Sequence, residues 1–147
     1  LKRIYGLTEK QFRINFVKSN KQPGVTGNNL ISNLERRLDN VVYRLGFLSS
    51  RNEARQYVNH GHILVNGKKV DIPSFLISIN DVIEIKEKSK DKKRIKESVE
   101  SVARRGVPEW LDFDSEKITG VVKRLPTRDD FTLPLDEQLI IEFYSKL

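Results

Sequence analysis

The first third of the chain repeats apolar residues every three to four positions, which is the period of an amphipathic helix. Residues 8–18 are predicted to form one such helix, because Phe12 and Phe16 fall on one face. Gln11 follows Thr8 by three positions, the spacing of a capping box at a helix N-terminus.

A loop and a long helix are predicted next. Pro23, Gly24 and Gly27 mark residues 20–29 as a loop. A continuous apolar stripe then predicts a single long helix that Gly46 ends; it consists of Leu30, Leu34, Leu38, Val41 and Leu45. Polar residues off this stripe are expected to face solvent or a partner, and they are Arg36, Arg37, Asn40 and Arg44.

A short helix and a hairpin follow. Ser50 and Glu53 have the capping-box spacing, and Gly61 is placed where a helix end needs positive φ. The apolar period then changes to two, and Asn66-Gly67 is a pair favoured in tight hairpin turns. The apolar residues of this hairpin are Ile63, Val65 and Val70.

The rest of the chain is predicted to add three strands and a basic helix. One strand covers 82–85, a helix covers 86–105, and two strands lie around Trp110 and Val121. The apolar stripe of the basic helix is Ile95, Val99 and Val102. Residues 126–134 are predicted to be a linker, and 135–146 an amphipathic helix or mixed apolar segment.

The charge of the chain indicates a polyanionic partner. The net charge is +7 and the isoelectric point is about 9.7, values that favour nucleic acid and, second, an anionic membrane. Residues 1–40 carry +5 and residues 86–105 carry +5, whereas residues 106–147 carry −4. We expect the acidic C-terminal block to pack internally or to face a basic protein.

Several functional classes are disfavoured by the residues that the sequence lacks. There is no cysteine, no apolar run of about 18 residues and no apolar signal segment at the start. Because the chain does not begin with methionine, we expect it to be a fragment. Nucleophile, phosphate-loop and metalloprotease motifs are absent, so the sequence predicts no enzyme activity.

The two histidines raise the question of a metal site. His60 and His62 flank Gly61, but a zinc site needs three or four ligands and the next acid along the chain, Asp71, lies beyond the turn. Two other roles stay open: a polar residue at a helix end, or a contact to phosphate or base beside Arg55. The alternating acids are interpreted as an exposed strand face, and they are Asp112, Asp114 and Glu116.

The stretch from Arg36 to Ser74 closely resembles the RNA-binding module named after small-subunit ribosomal protein four. The shared motifs are Arg37-Leu38-Asp39-Asn40, Tyr43-Arg44, Gly46, Arg51, Ala54-Arg55-Gln56, His60-Gly61-His62 and Val65-Asn66-Gly67. The flanking stretches KRIYGLTEKQF, TGNNLISNLE, PEWLDFD and LIIEFYSK resemble the ribosomal protein family itself, of bacterial or organellar type. The family's N-terminal segment, which carries a zinc-binding cysteine cluster in some members, is not in this chain.

The resemblance implies an α+β fold with two domains. Residues 1–36 and 126–147 would form a discontinuous helical domain. Residues 37–125 would form an inserted RNA-binding module, in which two helices pack on a five-stranded antiparallel sheet. The strands predicted from the sequence agree with this number.

The resemblance also implies a structural role in the small ribosomal subunit, in a bacterial cytoplasm or an organelle. Such a protein binds small-subunit rRNA as a primary binder, nucleates assembly at a multi-helix junction and influences translational accuracy. Its partners would be ribosomal protein five and other small-subunit proteins; no cofactor or metal is implied. The alternative is an RNA-binding handle of an RNA-modifying enzyme whose catalytic domain lies outside this chain.

Arginine and lysine side chains are the expected RNA contacts, because guanidinium forks and ammonium groups suit phosphates. A rigid helix-helix-hairpin unit bearing them could select a folded RNA by its shape. The expected contacts in or beside the module are Arg36, Arg37, Arg44, Arg51, Arg55, Gln56, Asn59, His60, His62 and Lys68. Those in the flanking basic blocks are Lys2, Arg3, Arg13, Lys18, Lys21 and Lys86.

Overall fold

A computed structural model describes residues 5–22, 26–89 and 93–127, except for the side chains of residues 26–28, 103 and 105. The contacts of the chain divide it into two compact units. One unit is Arg36–Leu125, and the other holds the described residues before it together with Pro126 and Thr127. That these units fold as independent domains with the limits given above stays a prediction.

The smaller unit is built around two helices, α1 (Glu9–Lys21) and α2 (Thr26–Glu35). The capping box at Thr8 is confirmed, since the Gln11 amide donates to the Thr8 hydroxyl and the Thr8 amide donates to the Gln11 side chain. The predicted loop is wrong from Thr26 onward, where α2 already begins. A small apolar core consists of Tyr5, Leu7, Phe12, Phe16, Leu30 and Leu34.

The single long helix predicted across residues 30–45 is wrong. Helix α2 ends at Glu35 and a new helix, α3 (Leu38–Arg44), begins after an extended Arg37. Arg37 bridges to Leu76, and the Leu38 amide donates to the Phe75 carbonyl at 2.8 Å. The stripe did not reveal this break because its residues are buried in both helices.

The larger unit is an α+β arrangement, as predicted. Helices α3 and α4 (Arg51–Asn59) pack together, and five antiparallel strands form a sheet in the order β2-β1-β3-β5-β4. The strands are β1 (Ile63–Val65), β2 (Lys68–Lys69), β3 (Val82–Ile85), β4 (Leu111–Asp114) and β5 (Thr119–Val122). The predicted number and positions of the strands are therefore confirmed.

The turn between β1 and β2 is also hydrogen-bonded to the start of β3. Asn66 and Gly67 both have positive φ, 53° and 81°, which confirms the predicted tight turn. The Asn66 side-chain amide donates to the Asp81 carboxylate, and its oxygen accepts from the Val82 amide, both at 2.9 Å. Asn66 therefore connects the hairpin to the start of the next strand.

A fifth helix, α5 (Lys93–Arg105), covers part of the same core. Its predicted start at residue 86 is wrong, because Glu87–Ser89 form a turn of 3₁₀ helix. The predicted apolar stripe is confirmed, since Ile95, Val99 and Val102 are buried. Gly46 has a φ of +80°, and a Cβ atom there would overlap the Val102 side chain.

The C-terminal predictions lie almost wholly outside the described residues. Of the predicted linker, Pro126 and Thr127 are described, and the Ser32 hydroxyl donates to the Pro126 carbonyl at 2.9 Å. The predicted closing segment at 135–146 is not described. Across the described part of the chain, no helix combines the length and apolar character needed to cross a membrane.

Candidate nucleic-acid interface

A buried carboxylate organises the arginines at the start of the module. Asp39 is 2% exposed and accepts two hydrogen bonds from the Arg37 guanidinium, both at 3.1 Å. The same carboxylate accepts from Arg55 Nε at 3.2 Å and from the backbone amide of Asn40 at 2.7 Å. Asp39 therefore connects α3 to α4 and restrains two arginines at once.

A second contact restrains Arg51, one turn before Arg55. Arg51 Nε donates to the Asn40 side-chain oxygen at 2.9 Å. The guanidinium carbon lies 4.5 Å from the centroid of the Tyr43 ring, a cation–π distance. The Arg44 guanidinium is 6.0 Å from the same ring. The arginines of this helix pair are thus held in defined positions rather than extended freely into solvent.

The histidines have different surroundings. His60 is exposed at the end of α4, whereas His62 is half-buried and its Nδ1 lies 2.7 Å from the Ser89 hydroxyl. The His62 ring also contacts the Tyr57 ring, with centroids 4.7 Å apart. No cluster of three metal-ligating side chains occurs within the described ranges, so the histidine pair has no third ligand there.

The expected contact residues fall into distinct groups. The exposed ones in the module are Gln56, Asn59, His60 and Lys68, and the half-buried ones are Arg36, Arg44, Arg51, Arg55, His62 and Lys86. Arg13, Lys18 and Lys21 are exposed on α1, in the other unit. Lys2 and Arg3 lie outside the described residues.

Two residues that were expected to face solvent or a partner are buried instead. Arg37 is 4% exposed and Asn40 is 1% exposed, because the chain is extended at Arg37 and both side chains turn toward Asp39 and Arg51. Arg36 is half-buried and its Nε donates to the Ile77 carbonyl at 3.0 Å. Burial lowers the pKa of Arg36, and the nearby charge of Asp81 opposes this shift.

The acidic face predicted at the end of the sheet is confirmed. Asp112, Asp114 and Glu116 are exposed on and beside β4. The Asp114 carboxylate accepts from the amides of Glu116 and Lys117, at 3.0 and 3.2 Å, so it stabilises the turn into β5. These carboxylates are on the β4–β5 side of the sheet, at the edge opposite the β1–β2 hairpin.

One basic residue near the histidines was missed. Arg94 of α5 lines the same cleft as Gln56, Tyr57, His60 and His62. From the sequence, Arg94 is one cation among several in a basic helix, and no local pattern distinguishes it from the others. Only the packing of α5 on the module brings it to this cleft.

A helix pair with ordered arginines shares a core with a five-stranded antiparallel sheet that includes the β1–β2 hairpin, the arrangement expected for the RNA-binding module that the motifs resemble. The family model described as "S4 domain" matches residues 36–83. The family model described as "Ribosomal protein S4/S9 N-terminal domain" matches residues 1–35.

The same family is found along nearly the whole chain. Proteins named "Small ribosomal subunit protein uS4" from Syntrophus aciditrophicus and Desulforapulum autotrophicum are each 58% identical over 146 residues. The one from Geobacter sulfurreducens is 56% identical over 146 residues. Each alignment covers 99% of this chain and 70% of the relative. The chain belongs to the uS4 family of small ribosomal subunit proteins.

This membership confirms the resemblance seen in the motifs and its bacterial type. The relatives are named as proteins of the small ribosomal subunit and not as enzymes, so the prediction that the chain is not an enzyme is confirmed. The alternative, an RNA handle attached to a modifying enzyme, is not supported, because the matches to ribosomal proteins cover both units.

Proposed function

We propose that this chain binds small-subunit rRNA as a structural component of the small ribosomal subunit. The observation that carries the proposal is a pair of buried hydrogen-bond acceptors on α3, Asp39 and Asn40, that contact arginines of α4. Asp39 holds Arg55 and Asn40 holds Arg51, so both guanidinium groups are ordered before RNA arrives. Ordered arginines lose less conformational entropy on binding than free ones, which favours affinity for phosphate groups.

The proposed binding surface consists of these two arginines and the other contacts predicted from the sequence of the module. Its members in the module are Arg44, Arg51, Arg55, Gln56, Asn59, His60, His62, Lys68 and Lys86, with Arg36 beside them. Basic side chains neutralise phosphates and release counterions, which makes affinity depend steeply on salt. The rigid module adds selection by shape, because the deep groove of an RNA helix hides its base edges from side chains.

Arg37 has a different role in this proposal. Its guanidinium is buried against Asp39, so it positions that carboxylate and, through it, Arg55. The exposed cations of α1 form a second basic surface, and they are Arg13, Lys18 and Lys21. Lys2 and Arg3 lie outside the described residues and stay contacts predicted from the sequence. We assign both surfaces to phosphate contacts.

The finer proposal is that the chain holds a multi-helix junction of the rRNA early in subunit assembly. It includes contact with ribosomal protein five and other small-subunit proteins, and an influence on translational accuracy. What supports it is membership in the uS4 family and the two basic surfaces, one in each unit. Chemical footprinting of small-subunit rRNA with the chain should give protection concentrated at one such junction.

The direct test is rRNA binding by variants of the two ordered arginines. Arg51→Ala and Arg55→Ala should each weaken binding to Geobacter sulfurreducens small-subunit rRNA about tenfold or more, as for a lost charge-assisted hydrogen bond. Filter binding across several salt concentrations measures the effect, and thermal unfolding checks that the variants remain folded.

The matched control is Lys117→Ala, which removes an exposed cation from the acidic β4–β5 turn. Its affinity should stay within about twofold of the unaltered chain, since it lies at the other edge of the sheet. Unchanged affinity in a folded Arg51→Ala/Arg55→Ala double variant would show that this surface is not the RNA-binding surface.

A further inference from the structure

A cleft between α4 and α5 brings together side chains that mostly donate hydrogen bonds. It is lined by Gln56, Tyr57, His60, His62 and Arg94 and has a volume of about 390 Å³. This volume is within the range of sites that hold a small ligand or one part of a larger one. Its lining contains an amide, a phenol, two imidazoles and a guanidinium, a set of donors that suits an anionic oxygen ligand, and the carboxylate of Glu53 lies beside the guanidinium.

Arg94 supplies the guanidinium group of this cleft, and its ion pair with Glu53 is long and exposed. Its Nε lies 3.6 Å from Glu53 Oε2, and the Arg94 side chain is 56% exposed. The other carboxylate oxygen of Glu53 accepts from the Ser49 hydroxyl at 3.0 Å, so Glu53 itself is anchored at the start of α4. Because an exposed ion pair at this distance is weak, a stronger anion can replace Glu53 as the partner of Arg94.

The histidine side of the cleft is more rigid. His62 is restrained by Ser89 on one ring nitrogen and by the Tyr57 ring on one face. Tyr57 is 7% exposed and its ring already contacts His62, so it offers little surface on which a base could stack. The cleft is therefore built to donate hydrogen bonds rather than to stack an aromatic base.

We infer that this cleft binds one phosphate group of the RNA backbone, with Arg94 exchanging its partner from Glu53 to the phosphate oxygens. The inference rests on the RNA-binding function proposed above and extends it to α5, outside residues 36–83 that match the S4 domain. Gln56, His60 and Arg94 supply the donors, and His62 supports the wall of the cleft. Glu53 keeps Arg94 in place until RNA binds.

The first test compares two arginines of the same helix. Arg94→Ala should weaken binding to Geobacter sulfurreducens small-subunit rRNA about fivefold to twentyfold at 0.1 M salt, the effect of losing one charged phosphate contact. The slope of log affinity against log salt should fall by about one unit. Arg104→Ala, which removes an exposed arginine outside the cleft, should change the affinity less than twofold.

The second test uses Glu53 as a competitor for the guanidinium. Glu53→Gln keeps an acceptor for the helix cap but loses the charge, so it should raise rRNA affinity about threefold. Glu100→Gln, an exposed acid elsewhere on α5, measures the general effect of removing one negative charge. In an Arg94→Ala background, Glu53→Gln should have no larger effect than Glu100→Gln.

The outcomes separate this inference from the function on which it rests. If Arg51 and Arg55 variants lose affinity while Arg94→Ala binds like the unaltered chain, the cleft is not a phosphate site although the chain binds rRNA. A loss of affinity in Arg94→Ala with an unchanged salt slope would also overturn the phosphate assignment. If the Arg51 and Arg55 variants bind normally, the proposed function itself fails.

Discussion

At the scale of single residues, Asp39 fixes the positions of two arginines of the module, Arg37 and Arg55. A buried carboxylate is costly to desolvate, and here it is compensated by two bonds from Arg37, one from Arg55 and one from a backbone amide. Arg37 is equally buried and shares this compensation. The pair is therefore a support for Arg55 rather than a part of the exposed surface.

Replacing Asp39 should destabilise the module strongly. Asp39→Asn keeps the shape of the side chain but leaves the Arg37 charge buried without a counter-ion, which typically costs about 3–5 kcal/mol of unfolding free energy. Urea unfolding followed by Trp110 fluorescence measures the loss. Asp112→Asn, an exposed acid on β4, should stay within about 0.5 kcal/mol of the unaltered chain. Equal midpoints for the two variants would contradict the supporting role of Asp39.

Sequence reasoning succeeded at residues whose conformation depends on near neighbours. Asn66-Gly67, the Thr8 cap and the Ser50 cap were predicted correctly, since each involves residues within a few positions. Arg37 was expected to face solvent or a partner, but it is buried. Its burial depends on Leu76, thirty-nine positions away, and no local pattern indicates that contact. Arg94 was missed for the same reason, since its neighbours in the cleft belong to α4 and the hairpin.

At the scale of elements, Gly46 determines how closely α5 approaches the end of α3. Its φ of +80° ends α3, and the Gly46 amide donates to the Tyr43 carbonyl at 2.9 Å. The space that a Cβ would fill is occupied by Val102. One glycine thus serves both the helix end and the packing of another helix.

Gly46→Ala should lower the unfolding free energy by about 2–5 kcal/mol. Roughly 1–2 kcal/mol of this comes from the positive φ and about 1–3 from overlap with Val102. Gly106→Ala separates the two effects, because its φ is +83° but nothing lies within 4 Å of the added atom. Chemical denaturation should show a distinctly smaller loss at Gly106, and a Gly46→Ala/Val102→Ala double variant should lose less than the two single losses combined. Additive losses would show that the overlap is relieved elsewhere.

The sequence predicted most elements but misplaced three boundaries: the start of α2, the break before α3 and the start of α5. The limits of α4 and of β3 follow from caps, turns and local period, and these agree with the structure. At the break before α3, the extended chain around Arg37 forms hydrogen bonds with residues 75–77 instead of helical ones. The spacing of the leucines gives no sign of these distant partners, so the break was not predicted. The start of α5 was placed too early because lysines recur at every second position from Lys86 through the 3₁₀ turn and no glycine or proline interrupts them.

At the scale of the whole molecule, buried apolar residues in the described part of the chain group into a larger and a smaller core. The larger one draws all its buried members from Leu38 to Val122, and the smaller one draws its members from Tyr5 to Leu34. Trp110, the single tryptophan of the chain, is fully buried in the larger core. Its fluorescence therefore reports the unfolding of that core alone, and each core can be perturbed without changing the composition of the other.

If each unit folds by itself, a cavity in the small core should leave the large one unaffected. Phe12→Ala removes a buried ring that belongs to the small core and should cost that unit about 3–5 kcal/mol, visible as a loss of helical circular dichroism at low urea. The urea midpoint of Trp110 fluorescence should not move. Ile83→Ala, the matched truncation in the large core, should lower that midpoint by the equivalent of about 2–5 kcal/mol.

A fragment of residues 36–125 should unfold with the midpoint of the intact chain, because it retains every buried member of the large core. A shift of the Trp110 midpoint in Phe12→Ala as large as that in Ile83→Ala would instead mean that the units unfold together. In that case the second basic surface, on α1, could not be removed without loss of the module.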